Sequence, residues 1–156
     1  MSTLKERMLR IDPLAAAGAG LMAGAAFVAV LEADVRLTGR NVDDLVLLGR
    51  PLVKNRDDAR KAGLAIHAFN SVALAGLYAL VEDRLAGPPW LRGAIFANVE
   101  NAFLYPLTAL EGFHPAIKDG QLAPYFNWPA FWQSVPRHLV YGIVVGVLYD
   151  RFRRGT

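Results

Sequence analysis

Eight polar residues in this chain stand inside or at the edges of long apolar runs: Glu32, His67, Asn70, Glu100, Asn101, Glu111, Arg137 and His138. Ionisable groups in apolar surroundings are costly, so each is a candidate for function. Four chemistries suit such a set. The side chains can bond across helices and fix a bundle, at roughly 0.6–2 kcal/mol per contact. They can line a polar cavity for a solute, a proton or a lipid headgroup, with Glu100 as the deep titrating group. Glu32, His67, Glu111 and His138 can hold a metal, helped by His114 in the Glu111-x-x-His114 spacing used by di-iron bundles. Finally, His67 and His138 can be axial ligands of a b-type haem, with Arg137 meeting a propionate.

The fixed positive charge of Arg137 beside His138 disfavours a cation nearby and suits a carboxylate partner or an anionic headgroup. The leading expectation is therefore a binding or transport-type membrane protein of unknown substrate. The alternative is a membrane redox or metal-dependent enzyme holding haem or a metal between His67 and His138. No cofactor follows from the residues themselves. The chain lacks cysteine, which excludes thiolate sites, disulfides and a cysteine nucleophile. It has no Gly-rich phosphate loop, no H-E-x-x-H run and no serine triad in a plausible order, which argues against a soluble-type hydrolase.

The elements that must position these residues are four charge-poor runs. They cover residues 14–31, 62–81, 90–110 and 132–149, each near the 20 residues that span a hydrocarbon core of roughly 30 Å. The fold expected is an all-α, integral membrane four-helix bundle in one domain, 1–156. Hydrophobic residues make up 54 % of the chain and charged residues 20 %. Four such runs leave too few polar faces for a soluble bundle. The first run follows a basic stretch, KERMLR, but is long for the core of a signal peptide and is expected to stay. The first connection, Glu32 to Lys61, holds seven basic and six acidic residues around Leu45-Val-Leu-Leu48. Asp43 and Asp44 are placed to cap a short interfacial helix there. The third connection carries Tyr125, Phe126, Trp128 and Phe131, the composition of an interfacial aromatic belt.

The runs also resemble one another. His67 and His138 each precede a tyrosine by eleven residues, Tyr78 and Tyr149, with small residues four and eight positions after each histidine. Two pseudo-repeated helical hairpins related about the membrane normal are expected. Gly20-x-x-x-Gly24 and Gly142-x-x-x-Gly146 allow close helix approach, within the chain or between copies in a homo-oligomer. Pro106 removes a backbone bond to Ala102 inside the third run. Glu100 and Glu111, eleven residues apart, fall on one face if the helix continues through it. Basic residues divide eight to nine between the two faces, which does not set orientation.

Basic residues flank the apolar runs and are not interleaved with aromatics, so the lipid bilayer and not nucleic acid is the expected partner. The strings HAFNSVALAGLYAL and RHLVYGIVVGVLYDR resemble those of small four-span bacterial inner-membrane proteins of uncharacterised function, the YagU-like proteins. That resemblance implies a multi-pass protein of the cytoplasmic (inner) membrane and carries over no catalytic residue.

Overall fold

The computed structural model describes residues 11–155, and all regular structure among them is helical. The basic stretch before residue 11 lies outside the described residues. Helix α1 is Pro13–Thr38, α2 Asp44–Gly49, α3 Arg56–Val81, α4 Pro89–Leu104, α5 Pro115–Lys118 and α6 Trp128–Arg153. Each long helix starts on a local signal. The Asp12 carboxylate accepts from the Ala15 N–H at 2.9 Å ahead of Pro13, and Asn55 accepts from Asp57 and Asp58. Pro88-Pro89 opens α4, and Asn127 accepts from Ala130 at the head of α6. Helix α1 stops at Gly39, whose φ of 65° lets its N–H turn back to the Val35 carbonyl.

At 26 residues each, α1, α3 and α6 are about 39 Å long. Helix α1 and the segment Arg56–Arg84 are long and apolar enough to cross a membrane. The third run does not form one helix. It ends as α4 at Leu104 and continues as a 3-10 segment, Tyr105–Phe113. The cause is Pro106, which has no N–H for the Ala102 carbonyl and crowds it. The 100° periodicity that would carry Glu100 to the face of Glu111 therefore fails.

Helix α6 packs along both α1 and α4, α1 packs along α3, and α2 lies on α3. Helices α3 and α4 do not pack along each other. A two-fold relation between the hairpins would pair α3 with α4 as it pairs α1 with α6, so their docking is asymmetric. Within each hairpin the small residues do correspond. Gly20 and Gly24 face Ser71 and Ala75 of α3, while Gly142 and Gly146 lie against Gly93 and Pro89 of α4. Both Gly-x-x-x-Gly faces thus pack against helices of the same chain. Gly49 of α2 similarly rests on Ala59 and Gly63 of α3 with no room for a Cβ. The expected cap is present: Asp43 accepts from the Leu45 N–H at 3.1 Å and the Val46 N–H at 3.4 Å.

Two ionic knots close the ends. At one, buried Glu82 receives Arg92 and Arg153. At the other, Arg60 bridges Glu32 and Asp43, and Arg50 meets Asp119. Burial pushes the Asp43 carboxyl up, against the pull of its two backbone N–H bonds and Arg56.

Candidate functional site: a polar cavity between three helices

Helices α3 and α4 touch through the Tyr78 and Phe96 rings, with centroids 5.5 Å apart, but do not pack along each other, and a cavity of about 280 Å³ opens between them, backed by α6. Its roof is Val42 just before α2, Leu47 of α2, Tyr125 of the loop before α6 and Ala130 in the first turn of α6. Its floor is closed by Leu74 and by Tyr141, whose hydroxyl donates to the Ser71 carbonyl at 2.7 Å. His67, Asn70, Glu100, Asn101, Arg137 and His138 all line it. Glu32 and Glu111 do not. Glu32 is held by Arg60 and Arg36. Glu111, carried off course by the 3-10 segment, accepts from the Tyr125 and Phe126 N–H groups and fastens the loop. His114 is likewise structural, donating from Nε2 to the Leu47 carbonyl at 2.9 Å while Nδ1 accepts from the Ala116 N–H.

Arg137 is fully buried. Its guanidinium bonds Asp44 at 2.8 Å through Nη1 and Asp34 through Nη2, and Gln133 donates to Asp34 at 3.1 Å. One positive charge thus faces two negative ones. The Nε–H of Arg137 has no acceptor among the described residues. Asp34 and Asp44 are the partners that sequence reasoning missed. They are two of thirteen charges in one connection, and nothing in their spacing sets them apart.

The histidine protons can be placed. His138 Nδ1 lies 2.9 Å from the Ser134 carbonyl, an acceptor only, so Nδ1 carries a proton, and in the neutral ring Nε2 keeps its lone pair. That lone pair lies 3.7 Å from the Glu100 carboxylate. Two acceptors therefore face each other across a gap too long for a direct hydrogen bond. His67 Nε2 donates to the Gly24 carbonyl at 3.2 Å. The Phe27 ring rests on both imidazoles, with centroids at 4.8 and 5.1 Å. Asn101 donates to the Ser134 hydroxyl at 2.8 Å and ties α4 to α6 beside Glu100. Asn70 stands exposed at the mouth.

This donor set does not fit the haem or metal arrangements. His67 Nε2 is spent on a carbonyl, and Phe27 packs between the reach of both rings. Glu32 and Glu111 are elsewhere, and no three His, Asp or Glu side chains among the described residues are grouped to hold a metal ion.

A model of a protein family of unknown function (DUF6789) matches residues 11–156. The chain belongs to that family. No curated protein and no solved structure matches it. The match begins just before α1 and takes in every helix described above, so the cavity lies wholly within the family's shared region.

Proposed function

We propose that this DUF6789 chain is a multi-pass protein of the cytoplasmic membrane, crossed by α1, α3, α4 with its 3-10 extension, and α6. It binds a small polar or amphipathic guest in the cavity between α3, α4 and α6. The outer surface supports the membrane reading. Large apolar side chains point outward on all four segments: Leu21 on α1, Phe69 on α3, Phe103 on α4 and Trp132 on α6. Phe69 is 74 % exposed and Phe103 80 %. A soluble monomer rarely shows a contiguous apolar patch beyond a few hundred Å². The shorter α4 is about 24 Å long, and its nine-residue extension adds about 18 Å, enough together for a hydrocarbon core.

The observation that carries the binding reading is Glu100. It is a carboxylate about 16 Å along α4 from Pro89, near the middle of the span, and it accepts no hydrogen bond among the described residues. Side chains that serve only as interhelical glue are bonded to one another, as Arg137 and Asn101 are. Glu100 and Asn70 instead line the cavity, Glu100 with His138 facing it at 3.7 Å. The test is carbodiimide labelling in proteoliposomes. A lipid-soluble carbodiimide should modify Glu100, read by peptide mass, while a water-soluble one leaves it untouched. Modification of Glu100 by the water-soluble reagent alone, or by neither, would contradict a membrane-embedded, lipid-accessible site.

A further inference from the structure

The charges around the cavity narrow what its guest can be, given the binding reading above. The sequence alone suggested a carboxylate partner or an anionic headgroup on Arg137. In the folded chain that guanidinium is already held by Asp34 and Asp44, leaving one net negative charge on the three. Glu100 adds a second, 3.7 Å from His138, which is a cation only when protonated. The Nε2 lone pair of His138 and the Glu100 carboxylate face each other 3.7 Å apart, and both accept. Against these stand two buried groups able to donate without a hydrogen-bond partner among the described residues, the Arg137 Nε–H and the Tyr125 hydroxyl, the second of which can also accept. An anion entering here would meet carboxylates and a single spent guanidinium. A cation with several N–H donors would satisfy both facing acceptors and offset the excess negative charge.

The route of entry is also set. The roof is packed, with Val42, Val46, Tyr125 and Ala130 all buried, and the Arg137–Asp44 ion pair ties α2 to α6. The floor is closed by the Tyr141–Ser71 hydrogen bond. Beyond the Tyr78–Phe96 ring contact the side between α3 and α4 is open, and the cavity lining there includes the exposed side chains of Leu104 and Asn70. Only a molecule soluble in lipid approaches from there. The cavity holds the volume of about nine waters, far more than a proton needs and suited to a small head with its first methylenes.

We propose that the cavity takes the ammonium head of a lipophilic amine, arriving from the bilayer between α3 and α4, with Glu100 and His138 accepting its N–H groups. Its apolar tail leaves past Leu104. The groups facing the head are His67 on α3, Glu100 on α4, Arg137 and His138 on α6, and Asp44 on α2.

The test uses the full chain in phosphatidylcholine nanodiscs, with empty discs subtracted, and three probes of equal length: octylamine, octanol and octanoate. A fourth, ethylamine, carries the head without the tail. Saturable octylamine binding, at least about tenfold tighter than octanol and octanoate, is expected. Ethylamine should bind at least about tenfold more weakly than octylamine. Glu100→Gln should lower octylamine affinity about tenfold and leave octanol unchanged, with the helical circular dichroism signal intact. Because the headgroup series is read on the unaltered protein, it stands even if that variant fails to fold. Preference for octanoate would overturn the amine assignment and leave the cavity reading standing, with Arg137 Nε as the recognising donor. Ethylamine binding as tight as octylamine would overturn lateral entry. No saturable binding of any probe would overturn the amine proposal together with the cavity reading beneath it.

Discussion

At the scale of single residues, two buried ionisable groups play opposite parts. Arg137 is bonded on two sides and holds α1, α2 and α6 together, so removing it strands two carboxylates in a poorly solvated place. Arg137→Met is expected to cost about 3–5 kcal/mol of stability, read by reversible denaturation in mixed micelles. Glu100 gives no hydrogen bond back to the fold, so Glu100→Gln should change stability by no more than about 1 kcal/mol in the same assay. A large loss in the second and none in the first would reverse these roles. The contrast also explains what could be read from sequence. His67, Glu100, Arg137 and His138 stand out because they are ionisable groups within long apolar runs. The partners of Arg137 do not stand out, because Asp34 and Asp44 sit among charges of both signs and only the fold selects them.

Helices α4 and α6 show how backbone contact, and not side-chain bulk, sets the spacing that leaves the cavity. Gly93 touches the Gly142 carbonyl, and a Cβ there would collide with it. Gly93→Val should therefore push α4 from α6, with a loss of at least about 1–3 kcal/mol and reduced octylamine binding. Unchanged stability would mean that the close contact does not hold the pair. The same residues mark where periodicity is a good guide and where it fails. Small residues at four-residue spacing read correctly as close-packing faces, though not whom they face. The eleven-residue step from Glu100 to Glu111 misleads because it assumes a continuous helix, and Pro106 ends α4 at Leu104 before the step is complete. A second proline, Pro136, stays inside α6 one residue before Arg137, so a proline in sequence does not by itself locate a helix end.

Taken as a whole molecule, the chain is a row of packed helices, α3 on α1, α1 on α6 and α6 on α4, closed at each end by an ionic knot. The open side of that row lies between α3 and α4, beyond the Tyr78–Phe96 contact that joins them. Hydropathy located the long apolar segments, since it depends only on composition along the chain. It gave no sign of the asymmetric docking that makes the cavity, because the two hairpins look alike in sequence and differ only in which neighbour each helix meets.

The central claim, that four segments cross a membrane around this cavity, is tested most directly by single-cysteine accessibility in sealed, oriented vesicles, since the chain has no native cysteine. Cysteines replacing Lys54 and Lys118, both exposed near the roof, should react with an impermeant maleimide from one side. Those replacing Arg84 and Gly155 should react only from the other side, and one replacing Phe103 from neither. Labelling of the Lys54 and Arg84 positions from the same side, or ready aqueous labelling at Phe103, would contradict the four-span bundle and with it a site reached from lipid.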